Sequence, residues 1–161
     1  MENYAFKATA TSVFVGRLLL PKLVNRLTEA HDRALAVIDL TVKQAAILLS
    51  CDLKEANTPA ELASMYGLEV SSITRMVERL ERKGLLKHVR NRADRRQVIL
   101  QITARGKHAL RQAVPIASQV ARDAWKGVTK NEKVVLDTIV TKVMNNLNHR
   151  GPRNKMNKTN D

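Results

Sequence analysis

The chain has 161 residues, 44% of them apolar and only 3% aromatic, which suits one domain with an aliphatic core. Such a core favours helices over a β-sandwich, and the scarcity of rings argues against a single-strand nucleic-acid binder that stacks bases. The net charge is +13, the single cysteine (Cys51) excludes an intrachain disulfide, and no apolar run reaches the roughly 18 residues of a membrane span. The N-terminus, Met1-Glu2-Asn3-Tyr4, lacks the basic-then-apolar pattern of a signal peptide, so a cytoplasmic protein is expected.

Residues 1–10 are mixed and read as a loosely held arm. From about Thr11 to Leu35, apolar residues recur at helical spacing (Val15, Leu18, Leu19, Val24, Leu27), with Pro21 expected to kink the helix or restart it. Thr41 is a good N-cap for a second helix, about Val42 to Cys51, carrying Ala45, Ile47, Leu48 and Leu49. A polar connection over 52–57 follows. Thr58-Pro59-Ala60-Glu61 then predicts a third helix, because Thr58 and Glu61 form a capping box and Pro59 suits the first helical position. Gly67 closes that helix, since a tight interhelical turn needs a left-handed residue.

The fourth helix is expected from about Val70 to Arg82, ended by Lys83-Gly84. At 100° per residue Ile73, Val77 and Leu80 share one face. Ser71, Ser72, Thr74, Arg75 and Arg79 fall outside it. Leu85 to Val89 and Gln97 to Ile102 alternate as two strands of a hairpin, with Arg90-Asn91-Arg92-Ala93-Asp94-Arg95-Arg96 at its tip. Thr103 caps a fifth helix running to about Trp125 with a bend at Pro115. Thr129 and Glu132 form another capping box before a sixth helix whose apolar stripe is Val134, Val135, Ile139, Val140, Val143 and Leu147. Residues 148–161 lack periodicity and read as a disordered basic tail.

Charge is concentrated on these elements. Residues 71–111 hold 12 Lys/Arg and 3 Asp/Glu, a net of +9, and residues 150–161 add +3. A basic helix face beside a basic hairpin is a surface for a polyanion of fixed shape, and double-stranded DNA is the expected partner. The first turn of a recognition helix enters the major groove, where Ser71, Ser72 and Thr74 permit close approach. Arg75 is the expected base contact, since arginine pairs bidentately with guanine. Arg79 and Arg82 are expected on phosphates or paired with Glu78. Arg92, Arg95 and Arg96 can enter a minor groove, and Asp94 is expected to orient a neighbouring arginine or to shape the turn.

The first, fifth and sixth helices are too apolar for a small winged module to bury alone, which predicts an intertwined homodimer. The domain plan is therefore one winged helix–turn–helix domain over 1–147, mainly α with a small β-hairpin wing. Its DNA-binding lobe covers about 41–102, and its dimerisation helices cover about 11–35 and 103–147. Enzyme readings find no support: His31, His88, His108 and His149 show no ligand pairing, and no Cys-x-x-Cys, phosphate loop or nucleophile elbow is present. No catalytic residue, metal or cofactor is expected. The main alternative is an architectural DNA-binding protein with low sequence specificity; a winged-helix protein-interaction module would not need the +9 segment.

Ala63, Gly67 and Ile73 in the helix–turn–helix, Leu80-Glu81-Arg82-Lys83-Gly84-Leu85-Leu86, Asp94-Arg95-Arg96 and Ile102-Thr103-Ala104-Arg105-Gly106 together resemble the MarR family of bacterial transcriptional regulators. Ile102 stands where the family's wing signature has Leu. The resemblance covers nearly the whole chain. It implies a homodimer that binds palindromic operators, usually represses, and is often released by a small ligand or an oxidant. The ligand, often a phenol or aromatic carboxylate, is implied in a cleft between the dimerisation helices and the DNA-binding lobe, where Arg17 and His31 could offer polar contacts. Some members sense oxidants through cysteine. Cys51, at the end of an apolar helix beside Asp52, reads instead as a passive core thiol, because burial and a neighbouring acid both raise its pKa.

Overall fold

The computed structural model describes the backbone of residues 2–90 and 98–148, and the side chains of residues 19–90 and 98–147. Its order is α1 (Glu2–Leu35), a 3₁₀ turn (Ala36–Ile38), α2 (Val42–Leu53), α3 (Pro59–Tyr66), α4 (Val70–Arg82), β1 (Leu86–Arg90), β2 (Val98–Ile102), α5 (Ala104–Ala124) and α6 (Lys130–Asn148). The molecule is mainly helical with one antiparallel hairpin, a winged helix–turn–helix. The chain divides into two compact units, residues 1–124 and 125–161. Among the described residues no single helix is long and apolar enough to cross a membrane.

Local chemistry explains most of the boundaries. Thr41 caps α2 with a complete capping box through Gln44, and Thr58 does the same for α3 through Glu61, with Pro59 in the first turn. Gly67 ends α3 at φ 61°, and its N–H returns to the carbonyls of Ala63 and Ser64. In the second unit, Thr129 caps α6, where Glu132 accepts from both the Thr129 N–H and its hydroxyl. There the ammonium of Lys133 also sits 5.9 Å from the Trp125 ring centre.

The structure corrects two expectations and narrows a third. The expected arm at 1–10 belongs to α1, which begins at Glu2; Ala5, Ala8 and Ala10 are strong helix formers that carry the helix back toward the terminus. Of the two readings of Pro21, a kink or a restart, the restart does not occur, because α1 runs through Pro21 as one helix. In α2, Leu49 is exposed whereas Gln44 and Ser50 are buried. An unbroken apolar run does not reveal which face is inward, and these two polar residues are admitted because each is bonded, Gln44 in the capping box and Ser50 to Tyr66.

One core unites the first unit. Leu35 and Leu40 from the end of α1 and its turn, Ile47 and Leu48 from α2, Leu62 and Ala63 from α3, and Ile73, Val77 and Leu80 from α4 meet Leu85, Leu86, Leu100 and Ile102 of the wing and Leu110 and Ala113 of α5. In the hairpin, Leu86 pairs with Ile102 and Arg90 with Val98. A further backbone bond, from the Leu100 N–H to the Asn57 carbonyl at 2.6 Å, ties the wing to the α2–α3 connection.

Candidate nucleic-acid interface

Helix α4 presents two different faces. Ile73, Val77 and Leu80 are no more than 1% exposed, while Ser71, Ser72, Arg75 and Arg79 stand in solvent. Thr74 is half-buried, and its hydroxyl donates to the Val70 carbonyl at 2.9 Å, so it can offer a ligand only an acceptor. Unlike α2 and α3, α4 has no side-chain cap, because Glu69 makes no such bond. The Ser72 N–H bonds the Glu69 carbonyl at 3.0 Å, and no side chain among the described residues caps the first turn where the serines begin.

Arg79 and Arg82 are exposed, and among the described residues neither pairs with Glu78. Among the described residues the polar contacts of this region lie elsewhere: Lys83 pairs with Asp39 at 3.1 Å, Lys107 pairs with Asp52 at 3.3 Å, and the His88 Nδ1 is hydrogen-bonded to the Glu81 carboxylate at 2.6 Å. The last of these joins strand β1 to α4, and Glu81 also accepts the His88 backbone N–H at 3.1 Å. The wing thus leaves α4 at a set angle. Its expected DNA contacts, Arg92, Arg95 and Arg96, with Asp94, lie outside the described residues, as do the Arg17 side chain and the tail beyond Asn148.

Behind the exposed face of α4 lies a cavity of about 280 Å³, lined by Val24 of α1, Lys43, Ala46 and Ile47 of α2, Tyr66 of α3, Leu68 in the turn that follows it, and Ile73 and Met76 of α4. The wall is almost wholly apolar, with two polar features. The Tyr66 hydroxyl donates to the Ala46 carbonyl at 3.0 Å and lies 2.6 Å from the Ser50 hydroxyl. Lys43 is exposed at the rim and makes no ion pair among the described residues. His31 does not line this cavity, and its Nδ1 lies 2.7 Å from the Leu27 carbonyl, to which it donates. The sequence pattern did not single out Lys43 or Met76, because the lining is drawn from four helices with no shared motif.

Cys51 is buried in the core, and burial pushes its thiol up to about 11. A thiol so seldom ionised is a poor target for oxidants.

Residues 40–98 match the model of the MarR family. The HTH-type transcriptional regulator YdcH of Bacillus subtilis is 31% identical over 104 residues, covering 62% of this chain and 71% of that protein. The chain belongs to the MarR family. It is therefore a DNA-binding transcriptional regulator and not an enzyme. Multiple antibiotic resistance protein MarR of Escherichia coli is 27% identical over 130 residues, covering 78% of this chain and 90% of that one. A crystal structure of a mutant of that MarR complexed with operator DNA matches 83% of this chain and 96% of its own, with a TM-score of 0.75 at 24% identity. BpsR of Bordetella bronchiseptica, whose DNA binding is regulated by 6-hydroxynicotinic acid, matches 78% of this chain and 90% of its own, with a TM-score of 0.70 at 22% identity. In this MarR-family chain the matched segment spans the helix–turn–helix and the first strand of the wing.

Proposed function

We propose that this chain is a homodimeric repressor that reads a palindromic operator through α4 and is released by a small aromatic carboxylate or phenol. The observation that carries the reading is the first half of α4: two exposed serines and the exposed Arg75 standing over a fully buried apolar face. Ser71 and Ser72 approach the groove floor or its phosphates, Thr74 accepts a bond, Arg75 pairs with a base, and Arg79 meets the backbone. Arg92, Arg95 and Arg96 enter the flanking minor groove with Asp94 orienting them, and the basic tail adds unspecific attraction. The bound DNA of the similar MarR crystal structure supports this use of the fold.

Dimerisation is supported by apolar surface that each unit leaves open. In α1, Leu19, Leu20, Leu23 and Val24 are 44–60% exposed, and in α6 Val134, Val135, Ile139, Val140, Val143, Met144 and Leu147 are 40–62% exposed. Stripes of this kind are what a helical dimer interface buries. On this plan residues of about 41–102 read the DNA and the helices over 11–35 and 103–147 hold the pair.

The effector reading rests on the apolar cavity with Lys43 at its rim. A single ring fills the apolar part while its carboxylate meets the ammonium, a division that favours flat acids over neutral or cationic molecules. The ligand of BpsR is itself an aromatic acid. Lys43 adds a polar contact to the two expected from Arg17 and His31.

Selection of bound sites from a random duplex library at near-physiological salt tests the function. The expected result is a palindrome with half-sites about one helical turn apart. Retained binding with no recovered motif would instead make this an architectural protein.

A further inference from the structure

The far end of α4 is held by contacts that base reading does not use. After Arg82 the chain turns through Gly84 at φ +69°, with the Gly84 N–H on the Glu81 carbonyl at 2.7 Å and the Leu85 N–H on the Leu80 carbonyl at 2.9 Å. Thr103, the residue before α5, grips this turn. Its hydroxyl donates to the Gly84 carbonyl at 2.7 Å, its backbone N–H donates to the Leu85 carbonyl at 3.1 Å, and its oxygen accepts from the Gly106 N–H at 3.0 Å. One hydroxyl therefore caps α5 and bonds the exit of α4 at once.

Gly106 makes the close approach possible. A Cβ there would stand 2.2 Å from the Leu85 carbonyl oxygen and 2.7 Å from Ile102, so no other residue lets α5 start against this turn. On the opposite flank the ammonium of Lys83 bonds the Asp39 carboxylate at 3.1 Å and also its carbonyl. Asp39, at φ 55°, closes the turn that follows α1. The end of the recognition helix is thus tied to the start of α5 and to the end of α1.

We propose that Thr103, with the Lys83–Asp39 pair as a second tie, is a positioning residue that sets the separation of the two recognition helices and so the operator spacing this protein accepts. The proposal rests on the dimeric operator reading above. Neither tie touches the expected base contacts, so neither bears on which bases are read. Both join the reading helix to α1 and α5, which carry its position to the partner copy. Removing the Thr103 hydroxyl leaves the Gly84 carbonyl to water and the Thr103 N–H on its own bond, but it takes the cap from the N–H of the buried Gly106, so the folding of Thr103→Val is checked before its affinities are compared.

The test measures affinity of the full-length wild type, Thr103→Val and Thr103→Ser on the selected operator and on versions with one or two base pairs added or removed between half-sites. Each added base pair turns one half-site by about a tenth of a helical turn, so the wild type is expected to lose on the order of tenfold per base pair. Thr103→Val is expected to flatten that profile to within about threefold while keeping the same base preference inside each half-site. Thr103→Ser, which keeps the hydroxyl, is expected to restore it. If Thr103→Val does not fold, Asp39→Asn weakens the second tie and is expected to broaden the profile in the same direction. Uniform weakening on every spacing, with the wild-type profile retained, overturns the positioning role alone. A wild type indifferent to spacing overturns the dimeric reading and this proposal together.

Discussion

The two halves of α4 lie in different settings. Its first half carries Ser71, Ser72 and Arg75 into solvent, has no side-chain cap, and backs through Ile73 and Met76 onto an apolar cavity. Its second half buries Val77 and Leu80 completely and is bonded on through Glu81 to His88, through Lys83 to Asp39 and through the following turn to Thr103. Both halves rest on the core, through Ile73 in the first, the reading end, and Val77 and Leu80 in the second, the tied end, but only the first also borders the apolar cavity. On the proposed function, a ligand in that cavity would press on Ile73 and Met76, and so on the first half of α4.

The largest expected effect comes from breaking the tied end. Leu80 is 0% exposed in the centre of the core, and Leu80→Ala should cost about 2–5 kcal/mol in chemical denaturation. A cost near that of an exposed residue would mean the second half is not packed as described. A smaller effect probes the cavity behind the reading end. Lys43→Gln should weaken release of DNA by an aromatic carboxylate about tenfold, and leave release by a neutral phenol of the same size nearly unchanged. Equal loss for both would show that the ammonium does not select the acid.

The smallest effect concerns a neighbouring helix whose cap is complete. Glu61 is held below the usual carboxylate range, first by the backbone N–H of Asn57 and then by that of Thr58 and its side chain. Its folded pKa is thus depressed. The stabilisation is present above the ordinary glutamate range near 4.3 and is lost as pH falls through the lower folded value. Glu61→Gln should lower Tm slightly at neutral pH, the side chain being exposed, and the gap should close in acid. A gap that widens in acid would contradict the assignment.

Much of the reading end was legible because its signals are local. Thr58, Glu61 and Gly67 bracket α3 through bonds spanning three or four residues, and the period of Ile73, Val77 and Leu80 sets the inward face of α4 without knowledge of its neighbours. The tied end was not legible in the same way. Gly106 appears in a family-like motif, but its cause is a carbonyl 21 positions earlier at Leu85. The cavity draws Val24, Lys43, Leu68 and Met76 from separate elements, and no pattern along the chain brings them together. The pairing of Arg79 or Arg82 with Glu78 was plausible by proximity in sequence, yet Lys83 and Glu81 find partners on other elements instead. Proximity along a helix says which charges could meet, and tertiary neighbours decide which do.

The most direct test of the reading end compares wild type and Arg75→Ala on the selected operator and on operators carrying each single base-pair substitution. Arg75→Ala should lose about 1–3 kcal/mol on the cognate site and become indifferent to one base pair in each half-site. The same loss on every operator, with all base preferences intact, would make Arg75 a phosphate contact and contradict base reading by the first half of α4.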